Sequence, residues 1–176
     1  MSSDTYFVDA HSPEWADAAL QMTGEYFSWM NDQIQEACGF SIPDIVGMPL
    51  EQYIPLAMGF INPRDSLNAA FYLLISNGIP VGMGGLRQLP SGNGEIVRVY
   101  TRPEYRGQGY GKKILEHLIE DSKKRGFKFL NLDTGVFMKS AQSMYLAHGF
   151  TPCEPYEGAE PPPQLFPYWL YMQLEL

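Results

Sequence analysis

The segment RVYTRPEYRGQGYGKKIL sets Gly107, Gly109 and Gly111 between a strand-like run and the first turn of an amphipathic run, with Arg106 before them and Lys112 and Lys113 after. Glycines remove the Cβ atoms that would hold a ligand off the backbone. The free amide donors of a helix N-terminus point at whatever sits there. The turn is therefore an anion site suited to a phosphate or pyrophosphate. Its spacing fails the P-loop pattern GxxxxGK[ST], because the position five before Gly111 is Arg106 and the residue after Lys112 is Lys113. The dinucleotide fingerprint GxGxxG fails too, since it needs glycine at Lys112 and should open a parallel βαβ unit, whereas this turn follows an antiparallel meander. A glycine-rich turn with no ligand is the bland alternative, and the flanking basic residues weigh against it.

The elements around the turn follow from period and punctuation. Ala69 to Ser76 and Val81 to Leu89 read as strands separated by Asn77-Gly78-Ile79-Pro80, and the Asn-Gly pair signals a hairpin. The turn Ser91-Gly92-Asn93-Gly94 leads into a third strand, Glu95 to Thr101. From Gly109 to Arg125, Ile114, Leu115, Leu118 and Ile119 fall at helical spacing, with Glu120 and Lys124 as an i,i+4 pair and Gly126 as the stop. Phe127 to Asp133 reads as a strand, Lys139 to His148 as a helix stopped by Gly149, and Pro167 to Glu175 as a closing strand after a Pro-rich loop. At the front, Trp15, Ala19, Met22, Tyr26, Trp29 and Met30 fall on one stripe of a helix over Pro13 to about Cys38, with Ser12 as N-cap, Gly39 as terminator and a break near Gly24. A shorter helix is expected over Leu50 to Met58. The order fits an α/β (α+β) fold: a mixed, mainly antiparallel sheet flanked by helices.

A chain of 176 residues with 45% hydrophobic and 18% charged residues can bury one core, so one domain over 1–176 is expected. The net charge of -8 argues against nucleic acid and anionic lipid as partners. The longest apolar run, Ala69 to Ile75, is too short to cross a bilayer, and Met1 to Asp9 lacks the features of a secretory signal. A cytoplasmic chain is the expectation. Cys38 and Cys153 form no CxxC pair and the histidines have no ligand spacing, so neither a metal nor a disulfide framework is expected.

Arg106-Gly107-Gln108-Gly109-Tyr110-Gly111 resembles the R/Q-x-x-G-x-G/A signature of the GNAT superfamily of N-acetyltransferases, and Met144 to Phe150, MYLAHGF, is similar to that family's Tyr-x-x-x-Gly-Phe element. The resemblance covers Glu95 to Phe150 and implies acetyl-CoA as co-substrate. Carried over residue by residue, it implies that Val99, Tyr100 and Thr101 pair with the pantetheine arm like an added strand. Arg106, Gly107, Gln108, Gly109, Tyr110, Gly111 and Lys112 would hold the pyrophosphate. The family's arm-contacting Asn is Met138 here, with Ser140 or Ser143 as substitutes. Residues 95–176 would form the acetyl-CoA half and 1–94 the acceptor side.

Direct attack on a thioester needs the amine deprotonated and the leaving thiolate protonated. Glu95 and Asp133 match positions where relatives place a base, although either could be an ordinary solvated or capping carboxylate. Tyr145 matches the family's general acid, against the alternative of a core aromatic. The N–H of Val99 is the expected oxyanion donor. Glu154, Glu157 and Glu160 could attract a cationic amine. A small-molecule or amino-acid amine is the first expectation for the acceptor and a protein or peptide amine the second. A non-catalytic acyl-CoA sensor is the competing class, and a homodimer is left open.

Overall fold

The computed structural model describes residues 4–61 and 68–176. Its frame is the hairpin at Asn77-Gly78, where both residues take positive φ (50° and 78°). The two-residue turn matches the right-handed twist of the flanking strands. It joins β2 (Ala70–Ser76) to β3 (Ile79–Gln88). Ile79 and Pro80, expected in the turn, belong instead to β3 and pair with Ser76 and Ile75. β4 (Gly94–Thr101) continues the antiparallel meander.

The seven strands run in the order β1-β2-β3-β4-β5-β7-β6. β1 (Thr5–Asp9) is an edge strand antiparallel to β2, and it places a strand before the expected front helices. β5 (Phe129–Gly135) is parallel to β4, whereas β7 (Trp169–Glu175) is antiparallel to both β5 and β6 (Thr151–Cys153). The expected strand over Phe127 to Asp133 thus starts and ends two residues later, so Asp133 sits inside it. The Pro-rich loop contains β6 and a 3₁₀ turn over Pro163–Tyr168, and the closing strand starts at Trp169.

Alternation sends Leu74 to one face of the sheet and Leu73 and Ile75 to the other. The first face is covered by α4 (Tyr110–Lys124) and α5 (Lys139–Ala147), through Ile114, Leu115, Leu118 and Tyr145. Glycines in β3 let α4 lie close: a Cβ on Gly84 would stand 2.6 Å from Ile114 Cγ2 and 2.9 Å from Leu118 Cδ1. The second face is covered by α1 (Ala16–Cys38) through Ala19 and Met22. Each such buried aliphatic side chain contributes about 1.5–3 kcal/mol.

α1 starts three residues later than expected, because the Ser12 hydroxyl bonds back to the Asp9 carbonyl and does not cap the helix. It runs unbroken through Gly24 and ends at Gly39, as expected. A short helix absent from the sequence reading, α2 (Ile42–Val46), opens with a reciprocal capping box between Ser41 and Asp44. α3 (Leu50–Met58) has the expected bounds. On α4, Glu120 pairs with Lys123 at 3.0 Å rather than with Lys124. Cys38 and Cys153 are free thiols.

Candidate functional site

β4 carries the backbone irregularity around which the site is built. Met83 pairs with Tyr100 and Gly85 with Val97, so Arg98 and Val99 together oppose Gly84. Arg98 takes φ 55°, uncommon for a long side chain. The extra residue is a β-bulge, which bends the strand and re-aims its groups. On the other edge, β4 meets β5 only at Gly94↔Leu130 and Glu95↔Asn131. Beyond Glu95 the two strands part, and a cleft of about 550 Å³ opens beside the diverging end of β4.

Val99, Tyr100 and Thr101 line this cleft on the β4 side. Arg106, Gly107, Gly109, Tyr110, Gly111 and Lys112 line it at the start of α4, and Ser140 and Tyr145 line it from α5. Gly107 and Gly109 have φ of 77° and 81°, and no atom lies within 4 Å of where a Cβ would stand. Among the described residues, no protein acceptor is found for the backbone N–H groups from Gly107 to Lys112. Open space over unpaired first-turn donors is what an anion needs. Arg106 is braced rather than free: its Nε donates to the Thr101 carbonyl at 3.1 Å and its guanidinium lies 4.9 Å from the Trp29 ring centroid.

Two expected contacts fall outside the cleft wall. The Gln108 side chain turns back toward the Glu104 carbonyl at 3.4 Å. The Ser143 hydroxyl donates to the Lys139 carbonyl at 3.0 Å on the exposed side of α5. Met138 does line the cleft. Trp29 of α1 and Lys139 also line it and were not singled out in the sequence, since their position depends on how α1 and α5 dock.

The inner end of the cleft shares Val99, Met138 and Tyr145 with a small cavity of about 40 Å³, which Arg98, Asp133, Glu160 and Trp169 also line. Asp133 accepts a hydrogen bond from Trp169 Nε1 at 2.7 Å. Burial, reinforced by the nearby Glu95 carboxylate, pushes the Asp133 carboxyl up to about 8, and the Trp169 bond opposes that rise. Tyr145 is buried, its ring edge-on to Phe150 at 5.9 Å. Burial and then the Asp133 charge raise its phenol, so the proton stays on the oxygen.

Glu95 is fully buried and lines none of these spaces. Its carboxylate is paired with Arg87 and accepts a hydrogen bond from the Tyr156 hydroxyl at 2.9 Å. Burial raises its pKa and Arg87 opposes the rise. Glu160 pairs with Arg98 at 2.8 Å, while Glu154 and Glu157 are exposed in the loop. Arg98, whose side chain is 1% exposed, also donates to the Ala57 carbonyl at 2.7 Å. Arg98 and Trp169 are further residues the sequence reading missed, and the bulge that buries Arg98 leaves no mark in composition or period. Among the described residues no cluster of His, Cys, Asp and Glu could hold a metal ion, and no helix is long and apolar enough to cross a membrane.

The fold and part of the sequence have counterparts in known proteins. The Bacillus subtilis protein YsnE, an uncharacterised N-acetyltransferase, is 35% identical over 88 residues, 48% of this chain and 58% of that protein. The chain spans about half the length of the curated relatives it matches. An acetyltransferase from Streptococcus agalactiae shares the fold with a TM-score of 0.71 at 16% identity, covering 98% of each chain. The PaiA N-acetyltransferase from Thermoplasma acidophilum, solved in complex with coenzyme A, does so with a TM-score of 0.69 at 18% identity, covering 100% of each. The model of the acetyltransferase (GNAT) family matches residues 48–150, more than half of the sequence and inclusive of the bulge, the glycine turn and Tyr145. The chain belongs to the GNAT family of acetyltransferases.

Proposed function

We propose that this chain is an acetyl-CoA-dependent N-acetyltransferase that acetylates a primary amine of a small molecule or amino acid by direct attack on the thioester. The observation that carries the reading is one continuous set of walls. An open glycine turn with unpaired N–H groups stands at one end of the cleft, and Tyr145 and Asp133 stand at the other. The coenzyme A in the Thermoplasma relative supports the choice of ligand.

In this reading the unpaired N–H groups at the start of α4, with Arg106 and Lys112, hold the pyrophosphate. Backbone groups of Val99 to Thr101 receive the pantetheine arm, and the bulge at Arg98 turns the Val99 N–H toward the carbonyl oxygen as negative charge develops there. The amine nitrogen attacks the thioester carbon, a C–N bond forms and the C–S bond breaks. Asp133, in its ionised form, takes the proton lost by the amine, and its pKa of about 8 suits that task near neutral pH. The Tyr145 hydroxyl gives a proton to the departing thiolate. Glu95 is not in contact with the reacting atoms in this scheme. It acts through Asp133 as a fixed neighbouring charge.

Release of free thiol from acetyl-CoA in the presence of pooled primary amines tests the proposal. Thiol that appears only with an amine supports it. Tight acetyl-CoA binding with no amine-dependent thiol would favour an acyl-CoA sensor instead.

A further inference from the structure

A second inner cavity, of about 90 Å³, adjoins the one at Asp133 and shares with it Tyr26, Met30, Asp133, Glu160 and Trp169. Its remaining wall is built from α1, α2, the Pro-rich loop and Tyr53 of α3, with Ile34, Ile42, Val46 and Leu165 among its residues. Among the described residues, no Lys or Arg lines it. The cavity is thus apolar at its far end and carboxylate-bearing where it meets the acetyl-transfer site.

When Asp133 is ionised, the charges around that junction do not cancel. Glu95, Asp133 and Glu160 act on one another, while the guanidinium groups facing them are Arg87, paired with Glu95, and Arg98, paired with Glu160. Among the described residues three carboxylates then stand against two guanidiniums, and Asp133 is the one outside the two ion pairs. A ligand that brings an ammonium group to Asp133 completes the set. A ligand that brings a carboxylate meets Asp133 and Glu160, with Arg98 already held by Glu160 and the Ala57 carbonyl.

We propose that the acceptor is a primary amine bearing a short branched aliphatic tail and no carboxylate, its ammonium seated at Asp133 and its tail in the cavity between α1, α2 and the Pro-rich loop. This rests on the acetyl-transfer reading above and narrows it. Size supports a short tail: at about 90 Å³ the cavity is smaller than the ~150 Å³ apolar cavity that takes up benzene. Asp133 takes one proton from the ammonium before attack, so the group that recognises the cation also frees the nucleophile, and the second N–H proton, lost as the C–S bond breaks, replaces the one Tyr145 gives to the thiolate.

The test compares ethylamine, butylamine, 3-methylbutylamine and leucine as acceptors with the full chain and acetyl-CoA. We expect kcat/KM to rise about fourfold for each methylene added up to 3-methylbutylamine, and leucine to be at least tenfold poorer than 3-methylbutylamine. Val46→Trp, which fills the cavity from half-buried α2, should cost 3-methylbutylamine tenfold or more and ethylamine least. Retention of the acetyl-CoA-induced rise in Tm checks that this variant is folded. Glu160→Gln frees Arg98 and should move the preference at least tenfold toward leucine.

A flat amine series, or leucine preferred by the wild type, with thiol still released, overturns the cavity assignment and leaves acetyl transfer standing. If no acceptor gives thiol, it is the acetyl-transfer reading that fails, and calorimetric titration of 3-methylbutylamine into the CoA-loaded protein decides the cavity. Binding that Val46→Trp abolishes keeps the assignment, and absence of binding removes it.

Discussion

Trp169 Nε1 and Asp133 Oδ1 lie 2.7 Å apart across the β5–β7 ladder, in which Asp133 pairs with Tyr171 and Gly135 with Trp169. Donor and carboxylate are diagonal neighbours, close enough for a long aromatic to reach across. The bond favours the ionised carboxylate against burial, which favours the neutral one. It thereby lowers the pH at which Asp133 ionises.

Trp169→Phe keeps the ring and deletes the donor. With that support gone, the Asp133 pKa rises, and the ionised fraction at any given pH falls. A hydrogen bond to a charged group is worth about 1.5–3 kcal/mol, so the limb of the pH–rate profile for kcat/KM should move up by about one pH unit or more. An unmoved limb would detach Trp169 from the titrating group.

Asp133→Asn should abolish that limb, which in the wild type rises through about pH 8 as the carboxyl ionises. Transfer should drop by about 10²–10⁴-fold. The same substitution has an effect on stability of the opposite kind. The folded pKa of about 8 lies above the unfolded value near 3.9, so the native state binds the extra proton and wild-type stability falls as pH rises between the two values. Asn carries no such penalty. The variant's Tm should therefore exceed the wild type's by a margin that grows from about pH 4 and levels off above pH 8, which calorimetry across that range would read.

Tyr145→Phe removes one hydroxyl and keeps the ring against Phe150. If the hydroxyl donates the proton to the thiolate, single-turnover acetyl transfer should slow by about ten- to a thousandfold while acetyl-CoA affinity holds. A tyrosine that only packs would show the reverse pattern: a stability change of roughly 1 kcal/mol at most, and full turnover.

Gly109→Val puts a β-branched side chain at φ 81°, in the open space over the α4 donors. The left-handed backbone disfavours it and the added methyls occupy the anion position. Acetyl-CoA should raise the Tm of the wild type by mass action and leave this variant's nearly unchanged. An equal shift in both would sink the proposed cradle.

Gly84→Ala tests the packing beneath the site. Its Cβ would press on Ile114 and Leu118, both buried, and overpacking of that kind costs about 1–3 kcal/mol. Urea unfolding should show a lower midpoint with an unchanged slope.

How far these features could be read in the sequence depended on whether they were local. Asn77-Gly78, the Ile114–Ile119 spacing and Gly39 each specify a turn, a face or an end within a few residues, and the corresponding elements formed where expected. The edge strand Thr5–Asp9 was missed because it is short and meets β2 63 to 71 residues away in the chain. α2 did carry a local signal, Ser41 three residues before Asp44, in the shorter acid that the usual Ser-x-x-Glu pattern passes over. At the site, the glycine turn and Tyr145 were legible because the family motifs are contiguous. The geometry separates the two carboxylates that the sequence offered together as candidate bases: Asp133 borders the cavities and Glu95 is enclosed with Arg87 and Tyr156. Which space a side chain borders is decided by β7 and the Pro-rich loop, and no window of sequence around either residue contains them.

The strand order has a consequence for vectorial synthesis. β7 is the last of the seven strands to be made, yet it lies between β5 and β6. Until residues 169–175 emerge from the ribosome, β5 has no neighbour on that edge, β6 has no partner in the sheet, and Asp133 lacks the Trp169 indole. The nascent chain can assemble the β1–β4 meander and dock α4 on it well before then. The glycine turn is thus in place while β5, which carries Asp133, is still half-paired, so the two ends of the cleft are completed at different times in synthesis.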